Sequence, residues 1–364
     1  MRNAKIYFYL YLNVFAVMFS SNIYTYEATS SVPAMYVFGD SLADVGNNNY
    51  INSSPYKSNF PHNGIDFPTG ATGRFSNGKN AADLIADKLD LPSPLPYLSI
   101  LKFDYKKTIL TGVSFASGGS GILRGSYDTP KRCISLSKQV EFYSSVYKIL
   151  VQELGSDAAR NHLSKSLFAI VIGSNDLYGH FKANSSIRTN ITPQNYVNSM
   201  VSSMSEILKQ LYGLGARKFV ITGVPALGCI PEQRVKSTTL ACNKVLNFWA
   251  RKYNYGLASA LQAFKSKFNN TNYSYLDTYG AVAEFIQNPN KYGFTEIRAA
   301  CCGSGELRAN SPCIPTAQYC LNRDNHIYWD FYHPTQKTSS IFIDMFYNGS
   351  QYVTPISLSQ LVSL

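Results

Sequence analysis

The strongest constraint on this chain is a repeated pattern. A short run of branched or aromatic residues closes on a glycine or aspartate, and a long helical stretch follows. Met35-Tyr36-Val37-Phe38 precedes Gly39, and Val113-Ser114-Phe115-Ala116 precedes a glycine cluster. Residues 167–172 precede Gly173, Phe219-Val220-Ile221-Thr222 precedes Gly223, and Tyr273-Ser274-Tyr275-Leu276 precedes Asp277. Each run reads as a strand stopped by a turn residue. Residues 80–89, 136–154, 193–214, 242–268 and 335–346 read as helices, the third opened by Thr192-Pro193. Strands alternating with helices predict an α/β fold: a mostly parallel, five-stranded sheet covered on both faces. With 45% hydrophobic and 15% charged residues the chain can bury a large core, and residues 29–364 read as one domain. Residues 49–68 and 288–325 are long polar segments that read as ordered loops.

The first residues read as an export signal. Arg2 and Lys5 give a basic start, residues 6–19 are apolar except Asn13, and Ser20-Ser21-Asn22 is polar. That apolar run is shorter than the roughly 18 residues a membrane helix needs. Residues 1–28 are therefore expected to be a secretory signal peptide cleaved between residues 20 and 28, leaving an extracellular protein without a membrane span. Sequons at Asn52, Asn184, Asn190, Asn269, Asn272 and Asn348 fit that route as candidate glycosylation sites. So do the seven cysteines, Cys133, Cys229, Cys242, Cys301, Cys302, Cys313 and Cys320, of which the last four, within twenty residues, read as disulfides under a loop-rich segment; seven is odd, so at least one thiol stays free or pairs outside the chain. No Cys-X2-Cys pair or suitably spaced His supports zinc, so neither a metal nor a cofactor is expected. The net charge is +11, of which Arg2 and Lys5 supply two. A basic exported surface allows adhesion to acidic wall polymers, although plain solvation is the simpler reading. No Lys/Arg cluster is dense enough for nucleic-acid binding.

In open parallel sheets, ligands bind beyond the carboxyl ends of the strands. Gly39-Asp40-Ser41, Ser117-Gly118-Gly119-Ser120-Gly121 and Gly173-Ser174-Asn175-Asp176 all follow predicted strands. Ser41 alone is a weak signal, because a serine hydroxyl needs a base before it attacks. Of the five histidines, only His333 has a carboxylate on its own short turn, in Asp330-Phe331-Tyr332-His333. From there Asp330 can hold the ring tautomer that leaves Nε2 free to take the serine proton. The Ser41 and Gly118 N–H groups and the Asn175 amide are candidate donors to an oxyanion. A phosphate-cradling reading of the glycines fails, because Gly119, Gly121 and Gly125 miss the Gly-X-Gly-X-X-Gly spacing.

These pieces stand in one order with others: Phe38-Gly39-Asp40-Ser41-Leu42-Ala43-Asp44-Val45-Gly46-Asn47-Asn48, Gly73-Arg74-Phe75-Ser76-Asn77-Gly78, Phe115-Ala116-Ser117-Gly118-Gly119, Ile172-Gly173-Ser174-Asn175-Asp176, Leu227-Gly228-Cys229-Ile230-Pro231, Cys301-Cys302-Gly303 and Trp329-Asp330-Phe331-Tyr332-His333-Pro334. In this the chain resembles the plant-type GDSL esterase/lipase family of the SGNH hydrolase superfamily, over nearly all of its mature length. The resemblance implies a flavodoxin-like three-layer α/β/α sandwich and hydrolysis of lipid or acylated cell-wall esters. It implies Ser41 as nucleophile, Asp330 and His333 as acid and base, and Ser41, Gly118 and Asn175 as the oxyanion hole, with Gly119 the neighbouring alternative to Gly118. It also implies a local Cys229–Cys242 bridge and bridges among the last four cysteines, their connectivity open, and Cys133 falls outside those blocks. Ala226 and Ser114 depart from the family's usual Pro and Asn. Two rivals use the same sequence differently: an acyltransferase with a sugar or lipid alcohol as acceptor, and a non-catalytic wall-binding protein.

Overall fold

Tyr36 and Phe38 of strand β1 (Met35–Gly39) belong to one hydrophobic cluster, while Met35 and Val37 belong to another. That alternation is the pleat of a strand buried on both faces. The computed structural model describes residues 32–100, 106–123, 132–181 and 191–364. The expected leader, residues 1–28, and the sequons Asn184 and Asn190 lie outside the described residues.

The other strands are β2 (Leu95–Pro96), β3 (Val113–Ser114), β4 (Leu167–Val171), β5 (Lys218–Thr222), β6 (Asn272–Leu276), β7 (Glu296–Ala300), β8 (Cys302–Gly303), β9 (Gln318–Tyr319), β10 (His326–Tyr328) and β11 (Val353–Pro355). The main sheet runs β11-β6-β5-β4-β1-β3-β2, parallel except for β11. The five predicted strands are its centre, β3-β1-β4-β5-β6. In chain order these give the sequence 2-1-3-4-5, that of a flavodoxin-like sheet. The sheet has seven strands, not the expected five. Leu95–Pro96 and Val353–Pro355 are short, proline-bearing and marginal, so neither carries the apolar run that marks a buried strand.

The longer helices are α1 (Ala81–Lys88), α2 (Leu136–Leu154), α3 (Ser156–Lys165), α4 (Ser174–Phe181), α5 (Pro193–Gly213), α6 (Lys244–Lys267), α7 (Thr278–Gln287), α8 (Gln336–Asn348) and α9 (Leu358–Ser363). Helices α2, α3, α5 and α6 bury Tyr143, Leu163, Met204 and Leu257 against the Tyr36–Phe38 face. Helices α1, α8 and α9 bury Ile85, Phe346 and Leu361 against the Met35–Val37 face. The result is a three-layer α/β/α sandwich. None of the described helices is long and apolar enough to cross a membrane.

Chain order reverses direction between β1 and β4: the strand after β1 lies on one side and β4 on the other. Such a switch point opens a crevice above the carboxyl ends of the two strands. Ser41 follows β1 there, and Ser174-Asn175 follows β4.

Candidate active site

The turn after β1 is built by close backbone approach. A Cβ on Gly39 would stand 2.3 Å from the Val171 carbonyl oxygen, so β1 and β4 can approach this closely only at glycine. The Asp40 N–H donates to the same oxygen at 3.0 Å. Asp40 is buried, and its Oδ1 accepts the Leu42 N–H at 3.0 Å, folding the chain around Ser41. Its Oδ2 has no partner among the described residues, and burial pushes the carboxyl up to about 7 against the pull of that N–H and of His333.

Gln139 of α2 grips the same turn. Its Oε1 accepts the Gly39 N–H at 2.8 Å, and its Nε2 donates to the Gly39 and Ile134 carbonyls at 2.8 and 2.9 Å. Asp44 ties the turn to the glycine loop. Its Oδ1 accepts the N–H groups of Gly46 and Asn47, and its Oδ2 accepts that of Gly118. Burial nevertheless raises the Asp44 carboxyl to about 6. Asp176 closes the third side, accepting the N–H groups of Ile122 and Leu123 at 2.8 and 2.9 Å.

Ser41, His333 and Asp330 lie in one hydrogen-bonded line. Ser41 Oγ is 2.8 Å from His333 Nε2. His333 Nδ1 is 2.9 and 2.8 Å from the two Asp330 oxygens. Asp330 Oδ1 also accepts the backbone N–H groups of Tyr332 and His333, which fixes the turn that carries both residues. The Phe75 ring lies 5.0 Å from that of His333, which gives the Gly73–Gly78 block a place at the site. The neighbouring Arg74 is held by a buried two-bond pair with Asp83 of α1. His62, His162 and His326 bond elsewhere, to Pro315, Tyr36 and Asn325.

One expected donor is misplaced. The Gly118 N–H is already given to Asp44 Oδ2 at 2.9 Å, so it is unavailable to an oxyanion. The next glycine, Gly119, is arranged differently. It has φ +85°, borders the cavity at Ser41, and its N–H has no partner among the described residues. A Cβ there would stand 2.6 Å from the Tyr56 ring. The Ser41 N–H likewise has no partner among the described residues. Asn175 uses one amide hydrogen on the Ser120 carbonyl at 2.9 Å, which aims the side chain and leaves the second hydrogen for a ligand.

A cavity of about 510 Å³ opens at these residues and is lined mostly by apolar side chains. That volume is in the ordinary range for small-molecule sites.

The cysteine pairs are Cys229–Cys242, Cys301–Cys320 and Cys302–Cys313, and Cys133 is buried outside them. Asn52, Asn269 and Asn348 are exposed, whereas Asn272 opens β6 half-buried, its oxygen accepting from Lys265.

Gln139, Asp44 and Asp176 are the functional supports that sequence reasoning passed over. Gln139 carried a signal: it stands on the apolar stripe of Leu136, Val140 and Tyr143, where a solvated amide has no place.

A Ser-His-Asp line at the switch point of a parallel sheet is the arrangement of a serine hydrolase. The family model described as GDSL-like Lipase/Acylhydrolase matches residues 35–346. A GDSL esterase/lipase of Arabidopsis thaliana, At5g55050, is 46% identical over 343 residues, covering 92% of this chain and 91% of its own. A second from the same plant, At5g37690, is 34% identical over 338 residues, covering 92% and 94%. The chain belongs to the GDSL lipase/acylhydrolase family and is a carboxylic ester hydrolase.

Proposed function

We propose that the protein is a secreted serine esterase that cleaves lipid or acylated cell-wall esters through an acyl-enzyme on Ser41. The observation that carries this is the 2.8 Å contact between Ser41 Oγ and His333 Nε2, with Asp330 bonded to the far ring nitrogen. In the mechanism, Asp330 holds the imidazole tautomer with Nε2 unprotonated. His333 takes the Ser41 proton as Oγ attacks the ester carbonyl. The negative charge that develops on the carbonyl oxygen is met by the N–H groups of Ser41 and Gly119 and the free amide hydrogen of Asn175. His333 then gives its proton to the departing alcohol, and water repeats the sequence to release the acid.

Export is supported by the basic-then-apolar start of the sequence and by three disulfides, which persist in an oxidising compartment. In this reading residues 1–28 are removed and residues 29–364 form the single working domain.

The test is steady-state hydrolysis of a short p-nitrophenyl ester. Ser41→Ala is expected to retain only residual turnover, and near-normal turnover contradicts the assignment. Asn175→Ala is expected to lower kcat by roughly 10²–10³, the usual cost of one oxyanion donor. An unchanged kcat removes Asn175 from the hole.

A further inference from the structure

We infer that Tyr178 and Tyr332 are positioning residues: their paired hydroxyls, anchored on Glu232, hold the oxyanion donor Asn175 in register with the base His333. This rests on the serine-esterase reading and adds to it the device that aligns two segments far apart in the chain.

The first observation is placement. Tyr332 immediately precedes His333, and its N–H goes to Asp330 Oδ1 in the turn that carries the base. Tyr178 lies three residues after Asn175 on α4 (Ser174–Phe181). Residues three apart in a helix are neighbours on one face, so what fixes Tyr178 also fixes Asn175. Both tyrosines are half-buried and line the cavity at Ser41. Their hydroxyl oxygens are 2.8 Å apart, and their rings meet nearly edge to face with centroids 5.2 Å apart. A direct contact therefore joins the helix of the oxyanion donor to the turn of the base.

The second is anchorage. The Tyr178 hydroxyl donates to Glu232 Oε1 at 2.6 Å. A carboxylate only accepts and a phenol has one hydrogen, so Tyr332 is the donor to Tyr178. The chain from Tyr332 through Tyr178 to Glu232 runs one way and ends on a charged acceptor, which makes its last bond a strong one. Burial, with Tyr332 and Glu232 beside it, holds the Tyr178 hydroxyl far above the ordinary phenol range, so it stays a donor. Glu232 is itself fixed. Its Oε2 accepts from Gln233 Nε2 at 2.8 Å, Lys236 pairs with its Oε1, and its N–H donates to the Phe331 carbonyl at 3.2 Å. The Glu232 backbone thus holds the turn of the base while its side chain holds α4.

The third is what the other bonds of α4 do. Asn175 donates to the Ser120 carbonyl, and the Asp176 carboxyl accepts from Ile122 and Leu123. These bonds tie α4 to the glycine loop and so align the donors of the hole with one another. They do not reach the Asp330–His333 turn, whereas the tyrosine pair does. A reacting group displaced by about 1 Å can cost about 10²-fold in rate, so the register of hole and base matters.

The test is a kinetic double-mutant cycle on p-nitrophenyl acetate. Tyr332→Phe and Tyr178→Phe keep the rings and remove the hydroxyls. Each is expected to lower kcat about tenfold and to leave KM within about twofold. In an Asn175→Ala background no side-chain donor is left to misplace, and adding Tyr332→Phe is expected to change kcat by less than about twofold. Three results overturn the positioning role: an unchanged kcat in both Phe variants, a raised KM at constant kcat, or a tenfold fall that persists in the Asn175→Ala background. A general folding defect lowers kcat equally in both backgrounds and gives the last of these. Wild-type turnover in Ser41→Ala overturns the serine-esterase reading instead.

Discussion

Gln139 is an amide on the apolar stripe of an otherwise amphipathic helix. Its removal tests how much the Ser41 turn depends on one side chain. Gln139→Leu strips a partner from the buried Gly39 N–H and from the Ile134 carbonyl. Each buried polar group left unpaired costs about 1–3 kcal/mol, so a clear fall in urea midpoint is expected, with kcat lowered as the Ser41 turn loosens. Asp40 gives a pH-dependent counterpart. Its folded pKa is about 7, against about 3.9 for an unfolded carboxyl. The folded state therefore binds more protons between these values, and Asp40's contribution is full below about pH 4 and lost as pH rises toward 7. Asp40→Asn is expected to flatten the fall in Tm across that window; an unchanged slope contradicts a raised Asp40. At this scale Ser41, Asn175, Asp330 and His333 were legible because each has a side chain with its own chemistry. The choice between Gly118 and Gly119 was not legible. It depends on which backbone N–H Asp44 captures, and two glycines in a row carry no sign of that.

Helix α8 begins just after His333, so its first turn and the Asp330–His333 turn share a foundation. Thr335 caps the helix, accepting the Thr338 N–H at 3.2 Å and donating to the His326 carbonyl at 2.8 Å. It thereby pins the start of α8 to β10. Thr335→Ala is expected to cost about 1–2 kcal/mol in equilibrium unfolding. It should also lower kcat, whereas a loss of stability alone would show that the His333 turn holds its place without the cap. The central elements were readable because their runs are long and periodic, and residues 136–154 were delimited to the residue. The marginal strands were not: Leu95–Pro96 and Val353–Pro355 are strands only because a neighbour offers them an edge.

Across the whole molecule, the site joins segments far apart in the chain, and its C-terminal part is held by covalent links. Trp329, next to Asp330, is packed among Cys301, Cys302, Cys313 and Cys320, and its Nε1 donates to Asn63 Oδ1 at 3.0 Å. Each bridge is worth roughly 2–4 kcal/mol. Reduction by dithiothreitol under native conditions is expected to lower Tm and to slow ester turnover with it. Turnover that survives full reduction, verified by thiol titration, would show that the Asp330 turn does not rely on the bridges. The sequence carried the presence of these links but not the pairing of the last four cysteines, which follows from β8 lying against β9.

The most direct measurement is covalent labelling of the native protein with a fluorophosphonate, followed by peptide mass mapping. A single adduct on Ser41, absent in His333→Ala, is the predicted result. Labelling at another serine, or labelling of Ser41 that persists undiminished without His333, would contradict a nucleophile activated by that histidine.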